Sequence, residues 1–312
     1  MNNWTLDNLR RAVDNPILFA REGVRLASWP FHQAYGRYVD FQSEGLDVIN
    51  ADWDNLILLD AARCDYFEEL NHIEGELRRE TSRGITSMQF MDRNLVGRDL
   101  HDTVYITANP HSDRIPEDTF YYVDHLYARS WDDRIGTVQP QDVVDAAREA
   151  HENHPNKRLI IHFMQPHRPY LGETAEKLRE RVNLQGAGSH NDGIQIWGAV
   201  KQRDVSVRGI RKAYAESLKI ALNSTSELLD AIDGKSVVSA DHGEMLGERI
   251  LPFTSGVWGH TEGFSTRMLR EVPWLVVESE NRREIQSSES IGSNAGLEED
   301  EMKEHLEALG YY

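Results

Sequence analysis

Lysine and cysteine are scarce in this chain of 312 residues: seven of its 34 cationic residues are Lys, at 157, 177, 201, 212, 219, 235 and 303, and Cys64 is the single cysteine. One cysteine excludes an intramolecular disulfide framework. No run of basic residues is present, so the electrostatic footprint that nucleic acid or an anionic membrane requires is missing. No apolar run approaches the length of a membrane span. The opening MNNWTLDNLRRAVDN lacks a basic start followed by an apolar core, and the expectation is a soluble, cytoplasmic protein without membrane insertion.

What is abundant is acid. The 52 Asp and Glu bring the net charge to −18. Dense carboxylates keep a surface hydrated where salt screens charge to within about 3 Å at 1 M, and this composition predicts a halophilic protein. A hydrophobic fraction of 39% is ordinary for a globular chain and excludes collagenous and wholly disordered classes.

Helical spacing of Leu6, Leu9, Ala12, Ile17, Leu18 and Val24, interrupted at Asn15-Pro16, predicts an N-terminal helical arm within 1–50. Apolar runs of strand length follow at 56–59, 103–107, 159–164, 236–239 and 273–277. Between them lie helix-like segments at 87–95, 142–154 and 205–232. Such alternation predicts an α/β fold, a mostly parallel central sheet flanked by helices on both faces, over 51–285. Two stretches lack periodicity. Residues 183–204, with GAGSHNDG, read as a surface or lid loop, and 286–296 as a linker to an acidic helix at 298–309 that packs back through Met302, Leu306 and Leu309.

In a doubly wound sheet, ligands gather where strands end. Those exits hold Asp60 after LILL, Gln165-Pro166-His167 after LIIHFM, and Asp241-His242-Gly243-Glu244 after SVVSA, with Trp258-Gly259-His260 beyond. Carboxylate and imidazole together suit a divalent ion, Zn or Mn first and Mg or Ca also, which would neutralise the oxygens of a phosphate or sulfate ester. Asp60 taken alone reads as a cap for the next helix. His162, inside its strand, reads as a core histidine. An i, i+2 pair does not face itself on a helix, so Arg63 is expected to reach an anionic substrate rather than Asp65. Asn109 and His111 follow another strand and are expected to line the same crevice.

Taken together these motifs resemble the alkaline phosphatase superfamily, on its sulfatase-like and lipoteichoic-acid-synthase-like side, over about 55–277; the composition suggests a soluble member of haloarchaeal type. NLILLDAARCD at 55–65 resembles the opening strand whose terminal Asp binds metal. HFMQPHRPY at 162–170 resembles the middle histidine motif. SADHGEMLGE at 239–248 is similar to the family's diagnostic stretch, and Gly259-His260 to its closing histidine.

The nucleophile follows from GITSMQF at 84–90, which resembles the Gly-x-Thr-Ser element of lipoteichoic-acid synthases and stands where a helix N-terminus favours an anion. The resemblance implies Thr86 as nucleophile and metal-bound hydroxyl, with Ser87 and Ser82 as competitors for the nucleophile and cap roles. Asp60, Asp241 and His242 would hold the ion, and His167 and His260 would act on the substrate. One ion is favoured and two are possible, because Gln165 is neutral where a carboxylate would serve a second. The expected activity is a metal-dependent hydrolase or phosphotransferase acting on phosphate mono- or diesters of small molecules or glycans through a phospho-threonine. Two alternatives stand beside it. One is a sulfuric-ester hydrolase, which Cys64 opposes because Asp65-Tyr66-Phe67 lacks the formylglycine spacing. The other is a noncatalytic metal- or anion-binding protein with a drifted site.

Overall fold

The computed structural model describes residues 44–183, 205–250, 254–260, 265–294 and 296–311, with scattered positions between 23 and 34. The expected N-terminal arm lies almost wholly, and the expected lid loop at 183–204 almost wholly, outside the described residues.

Strands β1 (Asn55–Leu59), β2 (Glu76–Thr81), β3 (Leu100–Thr107), β4 (Phe120–His125), β7 (Arg158–Phe163), β8 (Ser236–Ser239) and β11 (Glu271–Val277) form one sheet in the order β2-β11-β8-β1-β7-β3-β4. The pairs β8-β1, β1-β7, β7-β3 and β3-β4 are parallel, whereas β11 runs antiparallel to both β8 and β2. Short hairpins pair β5 (Trp131–Asp132) with β6 (Thr137–Val138), and β9 (Met245–Glu248) with β10 (Val257–Gly259).

The centre of the sheet reads as continuous apolar sequence because both its faces are covered. Every residue of β1 is buried, and side-chain alternation sorts them. Ile57 and Leu59 face a core shared with helices α1 (Cys64–Leu70), α3 (Pro140–Asn153) and α5 (Val207–Ala231), through Phe67, Val143, Val144, Leu218 and Leu222. Leu56 and Leu58 face a second core with Trp53 and with Phe90 and Met91 of helix α2 (Ser87–Asn94). Helix α4 (Glu173–Asn183) packs along α5, and the one-turn α6 (Arg267–Arg270) leads into β11.

Two strands of the main sheet escape the sequence reading. β2 is ELRRET, a charged strand at the sheet edge, and β4 is only half buried, so neither carries an apolar run. Residues 286–294 also differ from a plain linker: they lie along β4, with Ile291 N donating to Tyr121 O at 2.8 Å and Val123 N to Gly292 O at 3.1 Å. This strap leads to helix α7 (Glu299–Ala308), where His305 stacks on Trp131 at 3.9 Å and Leu309 is fully buried in the main core.

Burial holds the His305 imidazole down to about 4 against the pull of Asp133. Between pH 6.5 and about 4 the unfolded chain therefore takes up a proton that the folded chain refuses, and stability falls as pH drops through that window. In acid unfolding followed by circular dichroism, His305→Gln should lose less stability than wild type between about pH 6.5 and pH 4.

Candidate active site

Adjacent parallel strands β8, β1, β7 and β3 deliver their C-terminal ends to one place. Asp60 directly follows β1, Asp241 and His242 follow β8, and Asn109 follows β3, while His162 is the next-to-last residue of β7. All of these side chains are inaccessible to solvent.

Hydrogen bonding leaves one bare oxygen on each of the two carboxylates, and His242 turns a lone pair towards them. Asp241 Oδ1 accepts from Ala61 N at 3.0 Å and from His242 N at 2.8 Å, so Oδ2 is left over. Asp60 Oδ2 accepts from Asn109 Nδ2 at 2.7 Å, leaving Oδ1. His242 Nδ1 meets Gly243 O at 2.7 Å; a carbonyl only accepts, so the ring proton is there and Nε2 carries the lone pair. That Nε2 is 3.5 Å from Asp241 Oδ2 and 3.6 Å from Asp60 Oδ1. Asp60 Oδ1 and Asp241 Oδ2 have no hydrogen-bond partner among the described residues. Two unpartnered carboxylate oxygens converging with an imidazole lone pair fit a cation.

The electrostatics agree. Burial, followed by the neighbouring Asp241 carboxylate, drives Asp60 well above the ordinary carboxylate range. Asp241 is held low against burial by His242 and His162. His162 turns Nδ1 to the Tyr105 hydroxyl at 2.8 Å and aims Nε2 at Asp241 Oδ2, 3.7 Å away, and Asp60 Oδ2, 4.0 Å away. It is both a core residue and a support beneath the carboxylate pair.

A second cluster adjoins the first. His167, Glu244 and His260 place one ligand atom each within 4.8 Å of one another, as do Asp60, Asp241 and His242. His167 Nδ1 donates to Arg168 O at 2.7 Å, which again frees Nε2, and Glu244 Oε2 is without a partner among the described residues. The hairpin β9-β10 folds His260 back to 3.3 Å from Glu244, and the His242 and His260 rings are 4.4 Å apart. Gly243 lets the backbone of α6 pass close by: a Cβ there would lie 2.0 Å from Met268 O. The carboxylate of this cluster is Glu244, two residues beyond His242, and not a group at 165. Gln165 instead donates to Val138 O at 3.0 Å.

Helix α2 begins beside the first cluster. Thr86 is its N-cap, with Oγ1 accepting from Gln89 N at 3.2 Å, and Ser87 is its first residue. Ser87 Oγ lies 3.2 Å from Asp60 Oδ2 and 3.3 Å from His242 Nε2. Of the two hydroxyls, the one in the site is that of Ser87, and Thr86 does the capping. Gly84 lets the turn tighten, since a Cβ there would come within 2.5 Å of Phe90 N. Ser82 is engaged with Asp241 O and Gly84 N.

Three further expectations need correction. Asp60 caps no helix: α1 starts four residues later with Arg63 at its N-cap. Arg63 does pair with Asp65, at 2.6 Å, and also with Glu248 at 2.6 Å, because as N-cap it has extended backbone and helical spacing does not govern the pair. Its guanidinium is engaged by these carboxylates rather than open to substrate. Asn109 likewise orients Asp60 and, through Oδ1, accepts from His111 N at 2.9 Å. His111 is buried, which holds its imidazole down to about 3, and its Nε2 has no partner among the described residues. Cys64 is buried on α1, its thiol pushed up to about 12 by burial.

No family model and no curated protein matches this chain. Among solved structures it is similar to the C-terminal periplasmic domain of EcEptC from Escherichia coli in complex with Zn, at 14% identity and TM-score 0.44, covering 76% of each chain. It is also similar to the soluble domain of lipooligosaccharide phosphoethanolamine transferase A from Neisseria meningitidis, at 12% identity and TM-score 0.41, covering 71% of this chain and 75% of that one. A third is a protein in the alkaline phosphatase superfamily from Vibrio parahaemolyticus, at 14% identity and TM-score 0.36, covering 90% of this chain and 74% of that one. No helix among the described residues is long and apolar enough to cross a membrane.

Proposed function

We propose that the chain is a metal-dependent phosphoric-ester hydrolase or phosphotransferase that works through a covalent phosphoserine on Ser87. The observation that carries this reading is the position of Ser87 Oγ, at a helix N-terminus and within 3.3 Å of two side chains of a metal-type cluster. Asp60, Asp241 and His242 would hold one divalent ion, and His167, Glu244 and His260 a second. Bound there, divalent ions supply charge neutralisation of the phosphoryl oxygens and acidify a coordinated hydroxyl.

The chain's own groups do the rest. Asn109 and the backbone N–H groups of Ala61 and His242 fix the two carboxylates so that their bare oxygens converge. The backbone N–H groups opening α2 face the incoming anion. Ser87 Oγ bonds to phosphorus as the bond to the leaving oxygen breaks, and the serine proton ends, in net balance, on that departing alcohol. Water or a second alcohol then attacks phosphorus, the bond to Ser87 Oγ breaks, and its proton returns the serine hydroxyl. Hydrolysis and transfer differ only in that second attacker. Small-molecule and glycan phosphate esters remain the substrate class for this reading.

Turnover of aryl phosphate monoesters, diesters and sulfates, with Zn or Mn and after chelation, tests it. The expected result is metal-dependent release from a phosphate ester. Turnover confined to the sulfate would contradict the phosphoryl assignment, and a folded, metal-loaded protein inert towards every ester would favour a binding module.

A further inference from the structure

The segment after helix α7 enters the site. Arg168 grips it, with Nε donating to Leu309 O at 3.0 Å and Nη2 to Gly310 O at 2.9 Å. Gly310 has φ +83 and sits so close that a Cβ would meet the Arg168 guanidinium at 2.8 Å. This sharp reversal points Tyr311 inward. Its ring lies parallel to the His167 imidazole, 3° between planes and 5.4 Å between centroids, and packs edge-on against His111 at 4.2 Å. Its hydroxyl is 3.3 Å from His167 Nε2, and burial together with the Asp60 and Asp241 carboxylates, against a hydrogen bond with Ser87, pushes it well above the usual phenol range.

Resting on the function proposed above, we infer that Tyr311 is a catalytic residue whose hydroxyl donates a hydrogen bond to a non-bridging oxygen of the phosphoryl group as it passes to Ser87. A phenol is a neutral donor near neutral pH. In the structure it has one obvious acceptor, the lone pair of His167 Nε2. When that lone pair is engaged elsewhere, the phenol proton is left facing Ser87 and any anion bound there. The anchoring argues for a built wall rather than a displaceable plug: Leu309 is 0% exposed in the main core, His305 stacks on Trp131, and Arg168 holds two successive carbonyls. Arg168 and Gly310 are then positioning residues for the phenol.

The test uses the full chain loaded with zinc. Steady-state kinetics on an aryl phosphate are combined with binding of orthovanadate, which imitates the five-coordinate phosphoryl group, and of inorganic phosphate. Tyr311→Phe keeps the ring, so its melting temperature should match wild type. It should lower kcat by about 10- to 100-fold and weaken vanadate binding by a similar factor, more than it weakens phosphate binding. Gly310→Ala, which keeps the phenol but displaces it, should move kcat and vanadate affinity in the same direction. Unchanged kcat and vanadate affinity in Tyr311→Phe would overturn the inference and leave Tyr311 as packing. Faster turnover or tighter vanadate binding in Tyr311→Phe would overturn it in favour of a plug. Either result leaves the proposed function standing, whereas a wild type that neither turns over an ester nor binds vanadate overturns both.

Discussion

Ser87→Ala is expected to lower kcat/KM for a phosphate ester by at least about 1,000-fold while leaving metal content and fold intact, because it removes the attacking oxygen and no proposed ligand side chain. Thr86→Ala should behave differently. It removes the hydroxyl that accepts from Gln89 N, a helix cap whose loss costs about 1 kcal/mol of stability, with turnover kept within about tenfold. Kinetics and thermal melts on the two single variants separate the roles. The opposite pattern, with Thr86→Ala inert and Ser87→Ala active, would return the nucleophile to Thr86. Equal, small effects of both would remove covalent catalysis from the account.

Asp60→Asn carries the second large effect, and it changes sign with metal. Asp60 shares a solvent-free site with Asp241 and Glu244, and in the metal-free protein its carboxylate is opposed by burial and by Asp241. An asparagine can keep the oxygen that accepts from Asn109 while placing an amide N–H₂ toward the His242 lone pair, where Asp60 Oδ1 now has no partner among the described residues. Metal-free Asp60→Asn should therefore be more stable than metal-free wild type by roughly 1–3 kcal/mol near neutral pH. Zinc should raise the melting temperature of wild type but barely that of the variant, whose affinity falls by more than about 100-fold and whose turnover is lost. Calorimetry with and without zinc reads both halves. A variant less stable than wild type without metal, yet equally stabilised by it, would contradict this assignment of the ligand.

The central strands were legible because burial on both faces turns them into apolar runs, as at 56–59 and 236–239. β2 was not, since an edge strand with one face toward solvent can be written ELRRET. At the site, Asp60, Asp241 and His242 could be found from their places at strand ends. Thr86 and Ser87 illustrate the limit: both stand at a helix start, and one residue of helix rotation, about 100°, decides which caps and which faces the carboxylates. Glu244 was visible in its motif, but its role depends on a hairpin that returns His260 to it. Arg63 was misjudged because helical spacing was applied to a residue at the cap. Tyr311 left no local signal, for its role depends on α7 docking against Trp131 and on Arg168, 143 residues earlier in the sequence.

The central claim is a covalent phosphoserine at a metal-type cluster, and trapping it is the most direct test. Zinc-loaded protein is mixed with an ester that it turns over, quenched in acid within the first turnover, digested and sequenced by mass spectrometry. The account predicts a peptide carrying the mass of the transferred phosphoryl group on Ser87, absent when zinc is chelated and absent in Ser87→Ala. The group on Thr86, or rapid turnover with no modified peptide at any quench time, would contradict it.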